Sequence, residues 1–153
     1  MAGWRSLLSS GVMSREALRG EVTSALRFRD PHGMRMEVND AIAHLTQKSG
    51  ALLGAQAIFI VVDTWGMEHS WPRVAILISV ILLVLAALIV LTLLQSIYLP
   101  MTKTDDAAAF EFEQIVGLAG ILSSRALRFN IALYMTFLSV ILLGFGAVEA
   151  SLA

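Results

Sequence analysis

Among the side chains of this 153-residue sequence, Asp63 is chemically the most out of place, a carboxylate at the end of the mostly apolar run from Ala51 to Val62. Ionisable groups inside a bilayer are costly and often serve a proton or ion path. Its position near the outer interface favours a plainer expectation, solvation by interfacial water or a local hydrogen bond, with conduction or gating as the lesser alternative. Gln56 lies near the middle of the same run. There its amide needs a partner on a neighbouring helix or subunit, an interaction of ~0.6–2 kcal/mol. Packing is the expected role, and a pore-lining or switch position the lesser one. Gly50 and Gly54 form a G-x-x-x-G pattern beside Ala51 and Ala55. Small residues let helix backbones approach closely, and packing within the bundle is favoured over packing between chains.

Other chemistries find little to work with. There is no cysteine, so no thiolate nucleophile, zinc–thiolate site or disulfide framework is available. Bis-histidine haem ligation needs histidines at matching depth on two crossings. His32 and His44 precede the first crossing and His69 falls in a loop. No phosphate-binding loop or His–carboxylate pairing is visible, so neither catalysis nor a cofactor or metal is expected. The net charge of −1 argues against a nucleic-acid partner.

The elements that must hold Asp63 and Gln56 are membrane helices. The chain is 57% hydrophobic and 15% charged, against about 25% charged in ordinary globular proteins. No charged residue occurs between Arg73 and Lys103, and Phe129 to Val148 is likewise uncharged. A bilayer crossing needs about 20 apolar residues. Crossings are expected at about 49–66, 74–98 and 129–148, with Pro72 in a first helical turn, Pro100 as a stop signal, and Trp65, Trp71 and Tyr98 at interfaces. Seven Lys and Arg precede the first crossing (Arg5, Arg15, Arg19, Arg27, Arg29, Arg35, Lys48). Lys103, Arg125 and Arg128 precede the third, and the C-terminal tail has none. The positive-inside bias then places the N-terminus in the cytoplasm and the C-terminus outside. Leu7 and Leu8 are too few to form a signal-peptide core.

The outer two crossings are expected to extend as longer helices. Val38, Ile42 and Leu45 form one apolar stripe on a helix from about Met34 to Trp65. Phe112, Ile115, Val116, Ala119 and Leu122 form another, on a helix capped by Thr104 or Asp105. Acidic residues at Asp105, Asp106, Glu111 and Glu113 complement its dipole. Packing of the two stripes on each other gives a short two-helix cytoplasmic stalk; the alternative lays each stripe on lipid headgroups. Glycines at 3, 11, 20 and 33 and Pro31 break any long helix in residues 1–33. Leu18, Val22 and Leu26 share a face with arginines nearby, the pattern of a small basic surface helix on anionic lipid.

The stretch N-D-A-I-A-H-L-T-Q-K-S-G-A-L-L-G-A-Q, Asn39 through Gln56, resembles a motif in the transmembrane domain of Pycsar effector proteins. Lys48, Ser49, Gly50, Leu52, Leu53 and Gln56 match its Lys-small-small-x-Leu-Leu signature with a mid-membrane amide. Leu118, Leu122 and Arg125 resemble the family's spaced leucines and basic residue before a final crossing, and the likeness extends over about residues 37–146. The resemblance implies an antiphage effector that damages the inner membrane when a cyclic pyrimidine nucleotide signal arrives. The sequence departs from that pattern in having no separate nucleotide-binding domain. Sensing would then fall to a partner, the stalk or an assembly surface.

The expected architecture is therefore an all-α integral membrane three-helix bundle over residues 34–150, preceded by a basic, partly ordered segment, residues 1–33. The expected role is that of a non-enzymatic, homo-oligomeric inner-membrane effector, with Lys48, Gly50, Gly54, Gln56 and Asp63 as packing or switch residues. An accessory subunit of a larger membrane complex is the alternative.

Overall fold

The computed structural model describes residues 14–28, 30–68, 71–94 and 107–152, all helix or short connection. Four helices follow in order: α1 (Arg15–Leu26), α2 (Pro31–Glu68), α3 (Arg73–Leu94) and α4 (Ala107–Leu152). The protein is all-α, and α2, α3 and α4 are each long and apolar enough to cross a membrane. At about 1.5 Å per residue the 22 residues of α3 span roughly 33 Å, one bilayer thickness. The 38 residues of α2 and 46 of α4 exceed it. The expectations placed on Gly3, Gly11, His69, Tyr98, Pro100, Lys103, Thr104, Asp105 and Asp106 lie outside the described residues.

Local chemistry explains the helix starts. Ser14 caps α1, its Oγ accepting from the Ala17 amide at 3.3 Å. Asp30 caps α2, its side chain accepting from the Gly33 amide at 3.2 Å and its carbonyl from Met34 at 3.0 Å. Two expectations are corrected here. Pro31 does not break a helix but opens one, because the first turn needs no proline N–H and the fixed φ suits it. Gly20 sits inside α1, exposed to solvent, where its small propensity penalty is tolerated.

The chain forms two compact units, Met1–Thr46 with Ser96–Leu127, and Gln47–Gln95 with Arg128–Ala153. In the first, Leu18 and Val22 of α1 close a core with Met34, Ile115, Val116 and Ala119. Arg15 and Arg19 both pair with Glu113, Arg15 at 3.2 Å. Arg35 reaches Gln114 at 3.4 Å, and Arg125 donates to the Thr46 hydroxyl at 3.5 Å. The expected two-helix stalk is thus a unit with a third member. The Leu18/Val22 face meets protein rather than lipid, because the α4 stripe offers it Ile115, Val116 and Ala119. Glu113, read as a helix-dipole complement, clamps the α1 arginines.

The second unit packs by heptads. On α3 the buried positions are Ile76, Ser79, Leu83, Ala86, Val90 and Leu93, alternating steps of three and four. On α4 they are Ala132, Thr136, Ser139, Leu143 and Gly146. A 3.5-residue repeat keeps one seam facing its neighbours, as in left-handed bundles. Ala86, Val90 and Ala132 form its apolar centre, with Leu52, Leu53, Ile89 and Met135 packed around them. Outward lie Val61, Val74, Leu77, Tyr134, Phe137 and Phe145, an apolar exterior that fits lipid. At the α2–α3 connection Trp71 stacks edge-on to Trp65, ring centroids 5.9 Å apart, and donates its amide to the Gly66 carbonyl at 3.3 Å. A Cβ on Gly66 would lie 2.5 Å from Trp71 Cε3.

Two outcomes follow. Leu18→Ala weakens the docking of α1 by about 2–4 kcal/mol, seen as faster amide hydrogen exchange across Arg15–Leu26 while α3 stays protected. Gly66→Ala pushes Trp71 aside at a cost of about 1–3 kcal/mol, read as a lower thermal midpoint in detergent and a weakened near-UV circular dichroism signal from the tryptophan pair.

Candidate functional site

In the second unit α2 turns three polar residues inward. Ser49, Gln56 and Asp63 recur at intervals of seven and are 0%, 1% and 0% exposed, while Ile58, Val61 and Trp65 face out. A heptad step returns to the same side of a helix in a bundle, so the three make one polar seam along the packed face.

Two clusters occupy this seam. In one, Gln56 Nε2 donates to Thr136 Oγ1 at 2.8 Å, and the Thr136 hydroxyl donates to the Ala132 carbonyl one turn back, also at 2.8 Å. In the other, the Ser79 hydroxyl donates to Asp63 Oδ2 at 2.9 Å, and Ser79 and Ser139 Oγ lie 2.6 Å apart. The Ser139 hydroxyl also reaches the Ser79 carbonyl at 3.4 Å. The carboxylate and the two hydroxyls come from α2, α3 and α4, and all three side chains are fully buried. Asp63 Oδ1 and Gln56 Oε1 have no hydrogen-bond partner among the described residues. A buried acceptor left without a donor costs about 1–3 kcal/mol, more when charged.

The sequence-predicted residues separate into two groups. Gln56 and Asp63 belong to the seam. Lys48, Gly50 and Gly54 do not; all three are exposed, and a Cβ on either glycine would meet nothing within 4 Å. Close packing inside the chain through Gly50 and Gly54 is therefore overturned: the register that turns Ser49, Gln56 and Asp63 inward turns these glycines out. Of the two plain expectations for Asp63, the local hydrogen bond is the one found, from the Ser79 hydroxyl at 2.9 Å, and not solvation, since the seven-residue step from Gln56 carries the side chain to the buried face. Ser79, Thr136 and Ser139 escape a reading by composition because single hydroxyls in apolar helices attract little notice. Their phase is the available signal, as each falls on the buried heptad positions of its helix.

Ser79→Ala removes the hydroxyl that donates to Asp63 and lowers stability by about 1–3 kcal/mol, whereas Ser139→Ala, one bond further from the carboxylate, costs less. Thermal unfolding of the two variants in the same detergent gives the comparison. No family model matches this chain, and neither a curated protein nor a solved structure matches it.

Proposed function

We propose that this chain is a homo-oligomeric bacterial inner-membrane effector of the Pycsar kind, which perturbs the bilayer in antiphage defence when a cyclic pyrimidine nucleotide signal arises. The observation that carries this reading is the polar seam of Ser49, Gln56 and Asp63 inside an otherwise apolar bundle. In one copy the seam is closed, every member buried against Ser79, Thr136 or Ser139 or within the packed face, so a single chain offers no water path. Several copies are needed to turn such a seam toward an aqueous lumen.

Two further observations support it. Gly50 and Gly54 leave α2 open to another backbone, because no side chain of the same copy lies within 4 Å of either Cβ position. The first unit ties α1 to α4 through Arg15, Arg19 and Glu113, an exposed charge cluster of modest strength that a signal is able to rearrange. Helices α2 and α4 each contribute residues to both units. The Lys and Arg distribution supports a cytoplasmic N-terminus and an external C-terminus.

Induced expression in a bacterium loaded with a membrane-potential dye provides the test, with the cyclic nucleotide signal supplied. Depolarisation is expected for the wild-type chain and is expected to be lost in Gly54→Leu. That variant keeps its monomer fold, since the added side chain meets nothing in the same copy, but blocks close approach by another. An intact potential with the wild-type protein in the membrane counts against an effector, and stoichiometric co-purification with one fixed partner then favours an accessory subunit.

A further inference from the structure

We propose that the groove between α3 and α4 is a binding site for one anionic phospholipid, with an acyl chain along the groove and the headgroup phosphate on Arg128. The groove lies wholly within the second unit and has a volume of about 610 Å³, inside the ~300–1,000 Å³ range of small-molecule sites. Leu85 and Ile89 of α3 and Ile131 and Met135 of α4 form apolar walls, and Thr92 and Arg128 also line it. The order of these residues matches an amphiphile. Helices α3 and α4 run antiparallel, since Ser79 meets Ser139 while Ala86 and Val90 cluster with Ala132. Thr92 and Arg128 therefore share one end of the groove, and Leu85 and Met135 the other. Seven residues separate the two ends on each helix, about 10 Å and less than the ~15 Å depth of one leaflet. The polar end is where the uncharged run Phe129 to Val148 begins, at the bilayer boundary. A lipid with its headgroup there keeps its chain in hydrocarbon, against the apolar walls.

Charge selects the headgroup. Arg128 is the single charged side chain among the residues that line the groove. It makes no ion pair or hydrogen bond among the described residues, whereas Arg125, one turn earlier, donates to the Thr46 hydroxyl. A guanidinium binds phosphate through paired N–H donors, and basic pockets between membrane helices favour anionic headgroups. No carboxylate lines the groove to receive a choline ammonium, so a lipid of net negative charge is preferred to a zwitterionic one. The Thr92 hydroxyl gives its hydrogen to the Ile89 carbonyl at 2.7 Å and keeps its lone pairs for a headgroup hydroxyl. Phosphatidylglycerol combines the charge with such a donor.

The inference does not rest on the effector reading. Native mass spectrometry of the full chain in a non-ionic detergent tests it, with phosphatidylglycerol and phosphatidylcholine of identical acyl chains as the probes. One phosphatidylglycerol per chain is expected to bind about tenfold more tightly than phosphatidylcholine. Arg128→Gln removes that preference, and Arg128→Lys, which keeps the charge, retains most of it. Ile131→Trp fills the groove and weakens both lipids. Arg73→Gln, at the far end of α3, leaves binding unchanged. Arg73, Arg128 and Ile131 are all exposed, so these variants keep the fold, which helical circular dichroism checks. Equal affinities for the two lipids overturn the site, as does a preference that survives Arg128→Gln. Competition by glycerol 3-phosphate as effective as that of the lipid also overturns it, since the site would then take phosphate without a chain. A dimer of the chain that Ile131→Trp dissociates, with no lipid preference, gives the groove to a second copy instead.

Discussion

Hydrocarbon offers no hydrogen bonds, and that constraint governs the second unit. A carboxylate, an amide and several hydroxyls on membrane helices must either find one another or leave the bilayer. Here they find one another, Asp63 with Ser79 and Ser139, Gln56 with Thr136. The apolar side chains need no such placement, because lipid receives Leu, Ile and Val as readily as a protein core does. Polar residues therefore decide which way each helix faces.

Helix α2 shows this within a single element. In its first part the inward residues are apolar, Met34 and Val38, each 1% exposed. In its second part they are Ser49, Gln56 and Asp63, while Ile58, Val61 and Trp65 look out. The inside-to-outside preference inverts near Lys48 without a break in the helix. The first pattern is that of a helix packing in water, where burial of apolar surface drives association. The second is that of a helix packing in lipid, where it does not.

This inversion also accounts for what the sequence made legible. The uncharged runs marked the helices of the second unit, and the stripes through Val38 and through Ile115, Val116 and Ala119 marked faces that are buried in the first. Those signals arise from composition and period. The full burial of Asp63 was not legible, because distance from a charged flank measures depth, whereas burial depends on rotation about the helix axis. Gly50 and Gly54 were misplaced for the same reason, being one residue out of phase with Ser49 and two out of phase with Gln56. Leu18 and Val22 had the right face, but a short basic amphipathic helix carries the same pattern whether it rests on lipid or on α4. The core that Leu18 and Val22 close with Ile115, Val116 and Ala119 distinguishes the two, as do the Glu113 contacts to Arg15 and Arg19.

Retention of so polar a seam bears on register as much as on activity. Apolar heptads slide past one another with little penalty, since Leu83, Ala86, Val90 and Leu93 present similar surfaces to a neighbour. Asp63 does not permit that freedom. Moving α3 by one heptad replaces Ser79 with Ala86 or Pro72, and no other buried position of α3 carries a hydroxyl or any side-chain donor. The slipped arrangement leaves the carboxylate without its donor, at about 1–3 kcal/mol or more for a charged group. Gln56 imposes a similar condition on α4, where a one-heptad shift puts Leu143 or Phe129 in place of Thr136. Two buried polar side chains on one helix thus select a single alignment for both of its neighbours, as a buried polar residue fixes register in a coiled coil. An apolar seam of equal volume would pack as tightly and specify less.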